Sequence, residues 1–396
     1  MTVDPGVEHA HGRELARELA LQPVILLLHH RYRHAGGEER AVEDLSWLIR
    51  EHLHEDVEVL ERNSADVSNR QAARGLLTGG LHPQQVAEAV ERTQARVVHA
   101  HNVNPTFGPK ALEAARQAGA RVVLHLHNYR LVCAVGTCFT QGADCTRCHK
   151  RNTLPGLLRN CRQGSRAESA AYAAGLALHQ QRLADAADAI VVPSAFALQR
   201  LRDLGAPVGE KATVLSSVQR TFATASTADK GEYVLAAGRL TPEKGFSDVV
   251  EACNRAGLPL VVAGDGPERE RLAAQATTAR FVGHIPAHEL AALRGRAAVA
   301  VVPSRYAEIL PLAALEAMAA ALPTVAARSG GLIEAVPHEG LYPPGDVSAL
   351  QERLTALFGD GQAGERALAA ARARSAPEVV ADDLRRVYGP KLRTHG

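Results

Sequence analysis

The feature of this sequence that most constrains its fold is a repeated alternation of short apolar runs with longer amphipathic segments. The first series of apolar runs covers residues 23–28, 56–60, 95–100, 121–126 and 189–192. A second series covers residues 233–237, 258–263, 279–282, 298–302 and 324–327. Short β-rich runs separated by helical segments are typical of a parallel sheet with helices on both faces. The pattern therefore predicts an α/β chain with two such sheets.

The two series are separated by residues 220–232, a polar stretch rich in Thr, Ser and Ala. Such a stretch is typical of a linker between domains. We therefore predict two doubly wound, Rossmann-like domains, one over residues 1–220 and one over residues 221–376. Parallel sheets of this kind bind ligands at the carboxyl ends of their strands, so the cleft between the domains is the expected site.

The composition argues against several classes of partner. The 396 residues carry a formal net charge of +2, which gives no reason to expect nucleic acid as a partner. The first 18 residues hold four acidic side chains and no apolar core, unlike a secretory leader. The apolar stretch 310–327 contains Glu316 and two prolines, unlike a membrane span. We expect a cytoplasmic protein with no integral membrane segment, and peripheral membrane association stays open.

Loops that follow strands of the second series carry residues suited to a diphosphate. Gly238 comes directly after the run 233–237, and Arg239 and Lys244 follow it. Glycine allows close backbone approach, the guanidinium offers a fork of donors, and the ammonium offers a mobile positive charge. A solvated loop explains the same residues equally well, so both interpretations stay open. Gly283, at the end of a later run, is a candidate for backbone contact with a nucleotide base.

Two carboxylates eight positions apart give the strongest local signal. Glu308 falls in the loop after the run 298–302, and Glu316 falls about one turn inside the next predicted helix. Both side chains can therefore face one cleft, and the helix N-terminus near Pro311 offers free N–H groups to an anion. Carboxylates suit pairs of sugar hydroxyls. The spacing alone is common on any helix, so the signal depends on its context.

Together these motifs resemble the donor-binding half of glycosyltransferase family 4, whose members are retaining enzymes of GT-B fold. The resemblance rests on Gly238-Arg239-Leu240 with Lys244-Gly245, Gly264-Asp265-Gly266-Pro267, Glu308 with Glu316, and Ser329-Gly330-Gly331 with Glu334. The first half is similar more loosely, through Gly36-Gly37 and His125-Leu126-His127-Asn128. The resemblance implies that the N-terminal domain lies on the acceptor side. It also implies that residues 377–396 cross back onto that domain.

The resemblance also implies a role for each candidate residue. Arg239 and Lys244 are expected to hold the diphosphate and to stabilise its charge as it leaves. Glu308 is expected to bind hydroxyls of the donor sugar, and His127 to lie near its outer hydroxyl. These four residues form the expected catalytic set. The expected donor-binding residues are Gly37, near the phosphate, Glu316, near the ribose, and Gly238, Gly283, Ile309, Leu310, Pro311 and Leu312.

The implied reaction is that of a hexosyltransferase-like enzyme, which transfers a sugar from a UDP- or GDP-sugar with retention of configuration. In that scheme the leaving phosphate helps to take the acceptor proton, so no dedicated base and no catalytic metal are implied. The acceptor is a small natural product or a glycan, free or lipid-linked. A nucleotide-sugar epimerase or hydrolase and a non-catalytic sugar-nucleotide-binding protein are the alternatives. Residues 309–312 stand where many members have a glycine-bearing turn, which leaves the donor sugar open.

Five of the six cysteines fall in one loop-rich insertion, residues 133–161. Cys145 and Cys148 have the Cys-x2-Cys spacing of a zinc half-site, and Cys133 and Cys161 complete a set of four thiolates. This predicts a structural zinc that holds together an insertion with little core of its own, and it leaves the fifth cysteine spare. A set of reduced thiols or a labile disulfide is the alternative.

Overall fold

The computed structural model describes residues 24–32, 36–162 and 165–390, and the acidic N-terminal segment discussed above lies outside these ranges. The strands of the first half are β1 (Val24–Arg31), β2 (Asp56–Asn63), β3 (Val97–Ala100), β4 (Arg121–His125), β5 (Phe139–Thr140), β6 (Ala143–Asp144), β7 (Ala189–Val192) and β8 (Ala212–Val214). Six of them form a parallel sheet in the order β2-β1-β3-β4-β7-β8, while β5 and β6 form a small antiparallel hairpin. The helices are α1 (Gly37–Leu48), continued by a π-helix (Ile49–Leu53), α2 (Asn69–Thr78), α3 (Gln84–Thr93), α4 (Gly108–Gln117), α5 (Leu154–Leu158), α6 (Arg166–Ala186) and α7 (Ala195–Asp203).

The second half repeats this architecture. Its strands are β9 (Tyr233–Ala237), β10 (Leu260–Ala263), β11 (Ala279–Gly283), β12 (Ala297–Val302), β13 (Thr324–Ala327) and β14 (Leu341–Tyr342). They form a parallel sheet in the order β11-β10-β9-β12-β13-β14. The helices are α8 (Phe246–Ala256), α9 (Arg269–Gln275), α10 (Ala287–Arg294), α11 (Leu312–Ala319), α12 (Leu332–Ala335), α13 (Val347–Leu357), α14 (Gly361–Ser375) and α15 (Pro377–Tyr388).

The prediction of two doubly wound parallel sheets is confirmed, and each predicted run is a strand with ends within three residues. Helices cover both faces of such sheets, so the central strands are buried, whereas the edge strands β2 and β11 are partly exposed. In β1, for example, the four side chains of residues 25–28 have no exposed area. The short strands β8 and β14 were not predicted, because two or three residues are too few to show a period.

Helix α15 lies in the core of the first half, although it follows the second half in sequence. Val380 and Leu384 belong to the same buried cluster as Ile25 and Leu27 of β1. The chain passes from this cluster at Val218 towards the second core, where Phe222 packs. The stretch expected to be a linker is therefore partly packed against the second half rather than free. Within the described ranges, no helix is long and apolar enough to cross a membrane.

Candidate active site at the facing sheet edges

Loops at the carboxyl ends of the two sheets contact each other, and a helix begins on each side. Helix α1 begins at Gly37 after β1, and α11 begins at Leu312 after β12. A Cβ atom on Gly37 would lie 3.5 Å from Leu312 Cδ1, so the two helix starts are in contact range. The first N–H groups of a helix have no partner within it and attract anions. Two such starts at one point form a position suited to a phosphate group.

An ion pair between Lys244 and Glu308 belongs to the same edge of the second sheet. Lys244 Nζ lies 2.8 Å from Glu308 Oε2, and Ser304 Oγ donates a hydrogen bond to the same carboxylate. Only 9% of the Glu308 side chain and 20% of the Lys244 side chain are exposed. Burial alone would lower the pKa of Lys244, but the Glu308 carboxylate and Tyr306 raise it above its ordinary value. The ammonium therefore stays charged at neutral pH.

The motif glycines bring these loops together by close backbone packing. A Cβ atom on Gly264 would lie 1.8 Å from the carbonyl oxygen of Gly238, so the loops after β9 and β10 are in direct backbone contact. A Cβ atom on Gly331 would lie 2.1 Å from the carbonyl oxygen of Ile309. Such approaches exclude any side chain. The Gly-Gly motif therefore fixes residues 309–312, which lead into α11.

The two other charged candidates differ in their surroundings. Arg239 is exposed, and no salt bridge within the described part of the chain involves it. Glu316 is instead paired with Arg294 of α10, and 21% of its side chain is exposed. No pattern in the sequence indicated Arg294 as the partner of Glu316. Gly283, at the end of β11, is near Arg269, because a Cβ atom there would lie 3.1 Å from Arg269 Nη1.

His127 belongs to a buried network of histidines that the sequence analysis did not predict. His127 Nε2 lies 2.8 Å from His101 Nδ1, and His99 Nε2 lies 3.2 Å from His125 Nδ1. The network reaches α15, where the Tyr388 hydroxyl lies 2.8 Å from His99 Nδ1. Burial lowers the pKa of His99 and of His127 to about 3, so both rings are neutral. The available signal was a His-x-His pair at the end of each of the neighbouring strands β3 and β4.

These histidines do not form a metal centre in this arrangement. His99, His101 and His125 are the one set of three potential ligands, among the described residues, whose donor atoms all lie within 4.8 Å of one another. However, the rings of His99 and His101 are stacked with their planes 5° apart. The lone pairs of imidazole lie in the ring plane, so two parallel rings do not direct them at one ion. Hydrogen bonding and stacking account for the cluster.

The five cysteines of residues 133–161 surround one pocket. No three of their sulfur atoms lie within 4.8 Å of one another, so the predicted tetrahedron of thiolates is not formed in this geometry. All six cysteines of the chain are unpaired. The zinc site therefore stays a prediction.

Two family models match this sequence. The model of the glycosyl transferase 4-like domain matches residues 9–216, and the model of glycosyl transferases group 1 matches residues 218–374. The chain belongs to the family 4-like, group 1 glycosyltransferases. The predicted family is thereby confirmed, and the two matches meet where the chain passes between the two cores.

Individual relatives of this glycosyltransferase match it less completely. The glycogen synthase of Mycobacterium tuberculosis is 40% identical over 155 residues, which are 36% of this chain and 37% of that protein. The chain thus matches little more than a third of that relative's length. Sucrose-phosphate synthase from Thermosynechococcus elongatus superposes with a TM-score of 0.67 at 18% identity, covering 93% of this chain and 98% of the other. HepE from Anabaena, in complex with UDP and glucose, superposes with a TM-score of 0.61 at 18% identity, covering 92% and 98%. These likenesses show the fold, which is GT-B.

Proposed function

We propose that this glycosyltransferase moves a sugar from a nucleoside diphosphate sugar to an acceptor, with retention of configuration and without a catalytic metal. The observation that carries the proposal is the contact between the starts of α1 and α11, at Gly37 and Leu312. The N–H groups at the start of α11 and the nearby Lys244 suit a diphosphate, and the start of α1 at Gly37 lets the backbone of the first half approach it. Negative charge grows on that diphosphate as the bond to the sugar breaks, so groups that stabilise it there accelerate the reaction.

Arg239 and Lys244 have different parts in this proposal. Arg239 is exposed and forms no salt bridge within the residues described, so its guanidinium is free for a phosphate. Lys244 already contacts Glu308 and would be shared between that carboxylate and the diphosphate. The shared ammonium would couple the position of the sugar-binding carboxylate to that of the leaving group.

The other candidates would contact the remaining parts of the donor. Glu308 and the backbone of residues 309–312 would bind sugar hydroxyls, with neutral His127 at the outer hydroxyl. Glu316 would bind the ribose, and its pair with Arg294 would then be shared or opened. Gly238 and Gly283 allow close approach of the phosphates and of a base, which we propose to be that of UDP or GDP.

The state of Glu308 supports a front-face reaction with retention. Its carboxylate is held by Lys244 and by Ser304, and so it is poorly placed to act as a free base or nucleophile. A leaving phosphate that takes the acceptor proton needs no such group.

We place the acceptor, a small natural product or a glycan, on the side of residues 1–220, completed by residues 377–396, and the donor on residues 221–376. The unpaired cysteines support a reducing, cytoplasmic setting.

Calorimetry with UDP, GDP, ADP and dTDP tests the donor site directly. We expect one nucleotide to bind to the wild type, and to bind at least tenfold more weakly to Arg239→Ala, because a charge-assisted contact to phosphate is lost. Arg353→Ala is the matched control, since Arg353 is an exposed arginine on α13. Equal binding to both variants, or no binding of any nucleotide to the wild type, would contradict the proposed site.

Product analysis separates transfer from the alternatives. With the matching nucleotide sugar and no acceptor, we expect slow release of the nucleotide. Fast release of free sugar would indicate a hydrolase, and an isomeric nucleotide sugar would indicate an epimerase. Donor binding with no turnover in the presence of any acceptor mixture would indicate a non-catalytic binding protein.

A further inference from the structure

The insertion 133–161 has little regular structure to hold it in place. Its elements are the hairpin of β5 and β6, with two residues in each strand, and the five-residue helix α5. Segments with so little buried core usually need a further constraint, such as a disulfide or a metal. The unpaired cysteines leave a metal as the constraint to consider.

Five of the side chains that meet between these elements are thiols. One pocket, which we call the cysteine pocket, is lined by twelve residues, of which five are Cys133, Cys138, Cys145, Cys148 and Cys161. Helix α5 approaches closely here because of Gly156. A Cβ atom on Gly156 would lie 2.8 Å from Ala134 Cβ and 3.8 Å from Cys148 Sγ. The fold thus brings five soft donors from three separate stretches of chain to one place.

We propose that the cysteine pocket binds one structural zinc ion through Cys133, Cys145, Cys148 and Cys161. Four thiolates at about 2.3 Å from zinc are the usual structural site, and this arrangement places neighbouring sulfurs at roughly 3.8 Å. No three of the sulfurs lie this close to one another in the structure, so binding has to draw them inward. Cys145, Cys148 and Cys161 are half-buried and lie outside β5, β6 and α5, so they have room to move, whereas Cys133 is buried.

The fifth cysteine has a different contact. The Cys138 carbonyl oxygen accepts a hydrogen bond of 2.7 Å from Cys145 N, so Cys138 helps to hold the backbone where the Cys145–Cys148 pair begins. A zinc ion with four thiolates carries a net charge of −2 and releases up to four thiol protons on binding. Arg159, which lines the pocket, offsets part of that charge.

The cysteine pocket is connected to the candidate active site through one aromatic contact. Phe139, next to Cys138, packs edge to face on Tyr306, with ring centroids 6.3 Å apart. Lys244 Nζ lies 5.3 Å from the centre of the Tyr306 ring. An ordered insertion would therefore support Tyr306 and, through Tyr306, the position of Lys244. This consequence rests on the proposed function, whereas zinc binding itself does not.

Metal analysis of the purified protein tests the site without any substrate. We expect about one zinc per chain in the wild type, in Cys138→Ser and in Cys253→Ser. Cys138 lines the pocket but is not one of the four proposed ligands, and Cys253 is buried in α8, in the second half. Cys145→Ser and Cys148→Ser should each lose at least 80% of the metal. Zinc below about 0.1 per chain in the wild type, or the same content in all variants, would overturn the proposal.

Two further measurements keep the test decisive if Cys145→Ser or Cys148→Ser does not fold. Wild-type protein loaded with Co²⁺ in place of zinc should show the intense visible bands of tetrahedral thiolate coordination, and weak octahedral bands would contradict the ligand set. Peptide mapping of protein that is denatured in excess alkylating agent with a chelator, and never reduced, should show all five thiols alkylated. A disulfide between any two of the five in the protein as purified would refute a zinc site and support the redox alternative.

Discussion

The two sheet edges that face each other bury their polar groups in opposite ways. The edge of the first sheet carries neutral histidines, stacked and hydrogen-bonded to one another, with His125 and His127 rings 4.0 Å apart. The edge of the second sheet carries ion pairs, Lys244 with Glu308 and Glu316 with Arg294. The histidine network reaches α15, and two of its ring nitrogens, His101 Nε2 and His125 Nε2, have no hydrogen-bond partner among the residues described. The ion pairs lie where an anionic ligand would compete for their cations.

This difference separates stability from binding. A neutral imidazole both donates and accepts a hydrogen bond, so a row of them can be buried with no net charge. Such a row depends on the rings staying neutral. A partly buried ion pair is costly to break. Its cation can, however, be shared between its carboxylate partner and an anionic ligand. We therefore expect changes at the first edge to alter stability, and changes at the second edge to alter ligand binding.

The largest expected effect is acid destabilisation through the first edge. Burial lowers the pKa of His30 to about 4 and of His99 and His127 to about 3, from 6.5. Between pH 6.5 and about 4 the unfolded chain binds protons that the folded chain does not. The free energy of unfolding should therefore fall as the pH falls, by about 1.4 kcal/mol per pH unit for each such histidine.

Urea unfolding at pH 7, 6 and 5 measures this slope. Glu38 acts in the opposite direction, because burial raises its pKa to about 7, and it offsets about one histidine. The lowered pKa of Glu39, about 2, matters only below its ordinary value of 4.5. A free energy of unfolding that stays constant from pH 6.5 to pH 5 would refute the neutral network.

Glu308→Gln is the sharpest test of the second edge. The amide keeps the shape of the side chain but loses the charge that pairs with Lys244 and that we propose to bind sugar hydroxyls. We expect a nucleotide sugar to bind about 10- to 100-fold more weakly, since hydrogen bonds to charged groups contribute about 1.5–3 kcal/mol. The bare nucleotide should bind within threefold of wild type. Calorimetry with both ligands checks this, and an equal loss for both would remove Glu308 from the sugar subsite.

Tyr388→Phe is expected to destabilise the protein by about 1–3 kcal/mol, because it leaves His99 Nδ1 buried without a partner. Tyr342→Phe is the matched control in the second half. Tyr342 is fully buried, and its hydroxyl has no hydrogen-bond partner within the residues described, so its removal should cost nothing or stabilise. Urea unfolding compares the two variants. Equal losses would mean that the hydrogen bond to His99 contributes nothing.

Ser194→Ala has the smallest expected effect and probes the contact between the two halves. Ser194 accepts a hydrogen bond from Ala197 N at the start of α7, and its hydroxyl donates to the carbonyl oxygen of Ile309. We expect a loss of about 1 kcal/mol from the helix cap and a two- to fivefold weaker donor affinity. Ser165→Ala, which removes only the cap of α6, should cost similar stability and leave affinity unchanged. Unchanged affinity in both variants would show that this contact does not position residues 309–312.

The sequence was enough to predict the sheets, because their pattern is local. Each of the ten strands that the sequence predicts has four to eight residues, which is long enough to show in the sequence. The partners of the site residues are not local in this sense. Arg294 meets Glu316, and Tyr388 meets His99, only because of the order of strands and the path of α15. Strand order is set by packing between distant segments, and a single sequence carries no pattern for it.

The position of α15 has a consequence for how the chain is made. Tyr388 contacts His99 across 289 residues of sequence, and α15 completes a core that begins with β1. A ribosome adds roughly 5–20 residues per second, so about 15 to 60 seconds separate the synthesis of these two partners. During that interval the first half has an uncovered apolar face and an incomplete histidine network. The nascent chain therefore needs α15 before its first half can reach full stability, and removal of α15 should damage that half, although α15 follows the second half in sequence.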